Sequence, residues 1–260
     1  EETREAARGV ALSLLALKSQ PNPEDVEQAI DAAVAALGSM EVKLDRNQLK
    51  RDIESQVNVY VGPPSVLEDS DEAHDPWLDA RREQIKWNFW ESYRSWISRS
   101  LSPDVVRGLH RMTDQTLDLL EDPSKPGSWD RRGMIVGEVQ SGKTSNYTGL
   151  ITKAADAGYK FIVVLAGMHN SLRSQTQHRL DEGFLGFDSV TTLRPGDSQR
   201  SRKKIGIGTG GTRIPPALTL TSSDENGDFH KNRAENVAAR IGNDPVLLVV
   251  KKNTSVLNNL

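Results

Sequence analysis

Eight consecutive residues, Gly137-Glu138-Val139-Gln140-Ser141-Gly142-Lys143-Thr144, follow the spacing G-x-x-x-x-G-K-[ST], and this octapeptide narrows the folds open to the chain more than any other feature. A loop of this pattern wraps backbone N–H groups around phosphates. That requires glycine at both ends, a lysine that reaches the outer phosphates and a Ser or Thr hydroxyl that serves as a Mg2+ ligand. It is fed by a strand and opens a helix. Met134-Ile135-Val136 supplies the apolar run before it, read as a short buried strand, and residues 144–157 have a helical pattern whose N-terminus and dipole face the phosphates. Residues Gly137, Glu138, Val139, Gln140, Ser141, Gly142, Lys143 and Thr144 are therefore the expected nucleoside triphosphate site. Lys143 and Thr144 are its catalytic residues, and Thr144 is its metal ligand.

Hydrolysis needs an acidic residue as well, normally an aspartate that ends a later apolar strand and holds the metal. The last apolar run, Val246-Leu247-Leu248-Val249-Val250, ends in Lys251-Lys252 instead. Asp71-Glu72-Ala73-His74 spells an acidic box but precedes the loop and has no apolar strand feeding it, so it reads as a solvated acidic loop. Asp224-Glu225 follows Ala217-Leu218-Thr219-Leu220 after three polar residues and leads into Asn226-Gly227, the pattern of a surface turn.

With 260 residues, 36% of them hydrophobic, the chain can build one large or two medium domains. No apolar run approaches the ~20 residues of a membrane span, and the charged start Glu1-Glu2-Thr3-Arg4-Glu5 has no signal-peptide core. The absence of cysteine excludes disulfides and thiolate metal sites and, with a nucleotide loop, favours a cytoplasmic setting. A net charge of -3 gives no general attraction to nucleic acid, so any such contact must be local. Arg200-Ser201-Arg202-Lys203-Lys204 is one basic patch, read first as a solvated loop and second as a phosphate contact. The five histidines, at 74, 110, 169, 178 and 230, are scattered and do not form a metal-ligand pattern.

Residues 1–60 read as a small helical domain. Pro23 follows a capping Asn22, and Val26, Ile30, Ala33, Val34 and Leu37 recur at helical spacing, as do Leu49, Ile53 and Val57. Residues 61–76 read as a linker rich in proline and acid. Residues 77–128 read as a helical lead-in: a first block carries an apolar stripe of Ile85, Phe89, Tyr93, Trp96 and Ile97, and a second helix starts at Ser102-Pro103. From residue 129 the texture alternates strand and helix, the mark of a parallel sheet with crossover helices. Residues 161–166 are apolar enough to be a central strand, residues 170–180 and 229–241 are helical, and residues 217–220 and 246–250 are strands. The fold class expected is α/β, a P-loop parallel sheet with crossover helices, preceded by an all-α N-terminal region.

The strand at 161–166 followed by Met168-His169-Asn170-Ser171-Leu172-Arg173-Ser174-Gln175-Thr176 resembles motif Ia of superfamily-two helicases. The wider runs 131–144, 154–160 and 172–180, with Val249-Val250-Lys251-Lys252-Asn253, are similar to the Z-one domain family of helicase-like ATPase subunits in bacterial ATP-dependent restriction and anti-phage systems. The resemblance covers residues 85–260 and is strongest over 129–180. It implies a RecA-like first motor lobe. It also implies that Gly137, Gln140, Gly142, Lys143 and Thr144 bind ATP with Mg2+, and that Arg173, Gln175 and Thr176 are candidate DNA contacts, with bracing of the sheet as the alternative for Arg173. The expected partners are duplex DNA and a nuclease subunit in a hetero-oligomer. The metal-binding acid, second lobe and arginine finger of such a motor are expected beyond Leu260, so this chain is expected to be an N-terminal part that binds ATP and hydrolyses it poorly. A P-loop switch that controls assembly without translocation is the competing reading.

Overall fold

The structure is a computed structural model, and it describes residues 2–15, 17–18, 21, 23–36, 45–46, 49–50, 53, 74–136, 142–190, 202–211, 214–231 and 242–258. The chain divides into two compact units. One holds Glu1–Asp71, Ser100–Gly108 and Ile135–Lys143; the other holds Glu72–Arg99, Leu109–Met134 and Thr144–Leu260.

In the first unit, α1 (Glu2–Leu15) and α2 (Pro23–Ala36) pack against each other. Pro23 opens α2 where a helix has no use for the missing N–H, and Glu24 and Asp25 in the first turn suit the positive end of the dipole. Val26, Ala29, Ile30 and Ala33 share one face and are buried against Ala7, Ala11 and Leu15, with Leu49 and Ile53 completing the core. Alanine at so many of these positions lets the two helices approach closely. Residues 61–73 of the expected linker, together with Leu37 and Val57, lie outside the described residues.

The second unit contains helices and a three-stranded sheet. Its helices are α3 (Leu78–Arg81), α4 (Asn88–Ile97), the part of α5 (Pro103–Leu119) from Leu109 onward, α6 (Lys143–Ala157) from Thr144 onward, and α7 (Asn170–Leu180). A π-helical turn, Asp181–Leu185, continues α7. The strands β1 (Phe161–Ala166), β2 (Leu218–Thr219) and β3 (Val246–Lys251) lie in the order β1-β3-β2, all parallel, and α8 (Thr254–Leu257) follows β3. The chain is thus mixed α/β with a small parallel sheet, and no helix among the described residues is long and apolar enough to cross a membrane. Most of the lead-in at 77–128 belongs to this unit. Trp77, Leu78, Ile85 and Leu117 form one core with Ala154 and Ala157 of α6.

Two strand expectations are corrected. The central strand is β3, whose residues Val246 to Val250 are all buried. β1 is an edge among the described strands, with Phe161, Val163 and Leu165 exposed. The run Met134-Ile135-Val136 joins no ladder, and Met134 and Val136 are 86% and 82% exposed. Apolarity indicates that a segment can be buried but not which edge takes it. A three-residue run between Arg131-Arg132-Gly133 and a glycine loop has few ladder bonds with which to claim one.

The register explains the two faces of the sheet. Phe161 pairs with Val246 and Ile162 with Leu247, so Leu247, Val249, Ile162 and Val164 face one core with Phe89, Ile151, Ala155, Leu180 and Phe184. Val246, Leu248 and Val250 face another with Leu218, Leu220, Phe229 and Val256. The block at 77–97 is two helices rather than one, because a carboxylate from elsewhere caps each start. Asp118 Oδ1 accepts from Trp77 N (3.0 Å) and Leu78 N (2.8 Å), and Asp156 accepts from Phe89 N (3.0 Å) and Trp90 N (2.9 Å). Of the expected helix 229–241, residues 232–241 lie outside the described residues.

Candidate functional site

Of the octapeptide, Gly137, Glu138, Val139, Gln140 and Ser141 lie outside the described residues, and Gly142, Lys143 and Thr144 lie within them. Gly142 has φ of 74°, a left-handed backbone that glycine adopts without strain, and Lys143 begins α6 directly after it. Lys143 is exposed and Thr144 half-buried. No acidic residue stands in the first turn of α6, so no side-chain carboxylate there competes for the positive end of the helix.

The rest of α6 is held from all sides. Ile151, Thr152, Lys153, Ala154 and Ala155 are consecutive buried residues. At Gly149 side chains of α4 and α5 crowd the helix: a Cβ there would stand 3.2 Å from Thr113 Cγ2 and 3.3 Å from Trp90 Cζ3. Tyr93 of α4 donates its hydroxyl to the Ser145 carbonyl at 3.3 Å, and burial pushes the phenol up to about 12. The first turn of the helix is thereby tied to the core.

Lys153 is the least conventional residue of this helix. Its side chain is wholly buried, with Nζ donating to the His110 carbonyl (2.8 Å), to His110 Nδ1 (2.9 Å) and to Asp114. The ammonium also lies 4.2 Å from the centre of the Trp90 ring, which stacks on His110 at 5.3 Å. Burial draws Lys153 down to about 8 against the pull of Asp114, and burial followed by the Lys153 charge draws His110 below its ordinary value.

The candidate DNA contacts on α7 separate in the structure. Arg173 has no exposed surface. Its guanidinium donates to the Ser222 carbonyl at 2.8 Å and to the Asp224 carbonyl, while Ser174 Oγ donates to the Ser223 carbonyl at 2.6 Å. The enclosed guanidinium and its two loop carbonyls accord with the bracing alternative for Arg173. Gln175 is exposed, and Thr176 spends its hydroxyl on the Leu172 carbonyl of its own helix. The loop that Arg173 holds is the surface turn expected around Asp224-Glu225, closed by Asn226 N donating to Asp224 Oδ1 at 2.8 Å.

The brace extends beneath α7 as a buried polar network that the sequence did not reveal. Gln177 donates to Asp181 Oδ1 (2.8 Å) and accepts from Thr221 Oγ1 (2.6 Å), whose oxygen accepts from Val249 N of the central strand (2.9 Å). Asp181 also accepts from Ser189 N (3.1 Å) and Ser189 Oγ (2.5 Å). Burial raises Asp181 to about 6 even against these hydrogen bonds. The network locks α7 to the carboxyl ends of β2 and β3, where open parallel sheets place their ligands. Lys251, the last residue of β3, stands 3.7 Å from the buried Asp228 carboxylate.

One residue was missed entirely. Arg179, near the end of α7, donates from Nη1 to Thr144 Oγ1 at 3.0 Å. Nothing in local spacing shows that α7 passes the start of α6, so no sequence signal could have found it. Of the basic patch, Arg202 lies 4.3 Å over the Phe187 ring while Lys203 and Lys204 are exposed. No family model, curated protein or solved structure matches the chain.

Proposed function

We propose that the chain binds ATP with Mg2+ on residues 137–144 and is the N-terminal part of a DNA-stimulated, helicase-like ATPase subunit in a bacterial restriction or anti-phage endonuclease complex in the cytoplasm. The observation that supports the nucleotide half of this reading is the left-handed Gly142 directly before a helix whose first two residues are Lys143 and Thr144. A first turn free of acid fits a polyanion, and the Thr144 hydroxyl fits a hard cation, which prefers oxygen ligands. Lys143 would hold the outer phosphates and Thr144 the metal; the metal would supply charge neutralisation there. The RecA-like assignment and the nuclease partner rest on the motif order described above, with a parallel sheet as the compatible architecture.

A second reading, a P-loop switch that binds nucleotide without translocating, is favoured by one specific observation: Arg173, the leading DNA-contact candidate, is buried in a structural brace. ATP turnover with and without duplex DNA, with Lys143→Ala as control, separates the two. DNA-stimulated turnover by the intact parent protein that Lys143→Ala abolishes supports the motor. Nucleotide binding with turnover indifferent to DNA supports the switch, and no nucleotide binding at all removes both.

A further inference from the structure

We infer that His110 and Lys153 form an acid-sensitive latch between α5 and α6, closed while the His110 ring is neutral with its proton on Nε2 and opened when Nδ1 takes up a second proton. An ammonium has three donors and no acceptor, so a ring nitrogen in contact with one must offer its lone pair. Lys153 Nζ lies 2.9 Å from His110 Nδ1, and its other two protons go to the His110 carbonyl at 2.8 Å and to Asp114. The Trp90 ring, with its centre 4.2 Å from Nζ, favours the charged form of the amine. Nδ1 is therefore fixed as an acceptor, and the neutral ring carries its proton on Nε2.

Protonation of Nδ1 sets a second cation against the first within one contact. The carboxylates that face the pair are already engaged. Asp114 of α5 is shared by Lys153 and by Arg82 of α3, whose Nη1 is 3.1 Å from Oδ2, and Glu91 of α4 pairs with Arg94. Arg82 and Arg94 add positive charge to the surroundings; burial and then the Lys153 charge hold His110 below its ordinary 6.5 against the pull of Asp114. The His110 side chain is 41% exposed, so a proton can reach the ring from solvent. Lys153 is wholly buried and has no water to turn to while α5 and α6 stay packed. Gly149 of α6 sits against Thr113 and Trp90, and Trp90 stacks on His110, so parting the two cations loosens α4 and α5 on α6 together. The latch is independent of what residues 137–144 bind.

The test is ring-nitrogen NMR of the 260-residue chain as the pH is lowered, with the His110 signals assigned through its backbone resonances. Expected are a proton on Nε2 alone at about pH 7 and a protonation midpoint below the ordinary 6.5, which moves up in Lys153→Met. A proton on Nδ1 at that pH, or a midpoint that Lys153→Met leaves unchanged, overturns the latch. The unfolded ring protonates at its ordinary value, so the stability that the latch contributes is complete above 6.5 and is lost as the pH falls from there through the folded-state midpoint. Asp156 and Asp181, pushed up to about 7 and about 6, act with the opposite sign. The second readout is therefore the difference in melting temperature between wild type and His110→Asn, whose amide oxygen takes the place of Nδ1 and does not titrate. That difference is expected to move against the wild type as the pH falls from about 7 to about 5, and a constant difference overturns the opening step. Should His110→Asn fail to fold, the tautomer and midpoint of the wild type decide the matter.

Discussion

At the scale of single residues, the chain places charge where burial is costly and compensates for it with dense hydrogen bonding. Lys153 is the sharpest case, with an ordinary amine value of 10.5 lowered to about 8. Between those values the unfolded chain binds the proton more readily than the folded one. Folding stability therefore rises with pH from about 8 to about 10.5 and is insensitive to this group below 8. The contribution amounts to at most about 3 kcal/mol. Urea titrations of wild type and Lys153→Met across that window should show the rise in the wild type and its loss in the variant; parallel profiles would disprove the assignment. His110, Asp114 and the Trp90 ring all touch this ammonium, so the effect belongs to a cluster and not to one contact. Arg173 teaches the complementary lesson. The sequence left two roles open for it, a DNA contact or a brace, and only the fold shows its guanidinium donating to two carbonyls in the turn at 222–224.

At the scale of elements, the helices legible in sequence are those with local signals. Pro23 with Glu24 and Asp25 marks the start of α2, and Ser102-Pro103 marks α5. The start of α3 was legible near Trp77, but the break before α4 was invisible because the cap of α4 comes from Asp156, about 67 residues away in sequence. Asp156→Ala is expected to cost about 1–2 kcal/mol, the usual range for a lost N-cap, and to loosen the Trp90 and Tyr93 contacts with α6. Asp156→Asn, which keeps an acceptor oxygen, should lose less, and equal losses from the two variants in urea denaturation would show that the cap is not what matters. The strands followed the same logic. Five consecutive buried apolar residues marked β3, whereas the equally apolar β1 took an edge, because its rank in the sheet depends on which neighbours arrive.

At the scale of the whole molecule, each compact unit has its own apolar packing, the first unit a core built on Ile30 and Leu49 and the second a core on each face of the sheet, with Leu247 in one and Leu248 in the other. Ile30→Ala and Leu248→Ala should each cost about 2–5 kcal/mol, the range for emptying a buried site. Calorimetry should show each substitution lowering a different transition, and one shared transition shifted by both would mean that the units unfold as one. The sequence by itself determined the G-x-x-x-x-G-K-[ST] spacing at 137–144, the α/β texture after residue 129 and the helical start of the chain, because glycine spacing, apolar periodicity and proline are local properties. Only the tertiary structure decided that β3 lies at the centre of the described strands, that Arg173 is buried against two loop carbonyls, that Lys153 is buried on a tryptophan and that Arg179 meets Thr144. Each of these depends on which surfaces the folded chain brings together, and residues distant in sequence leave no local trace of their eventual contact.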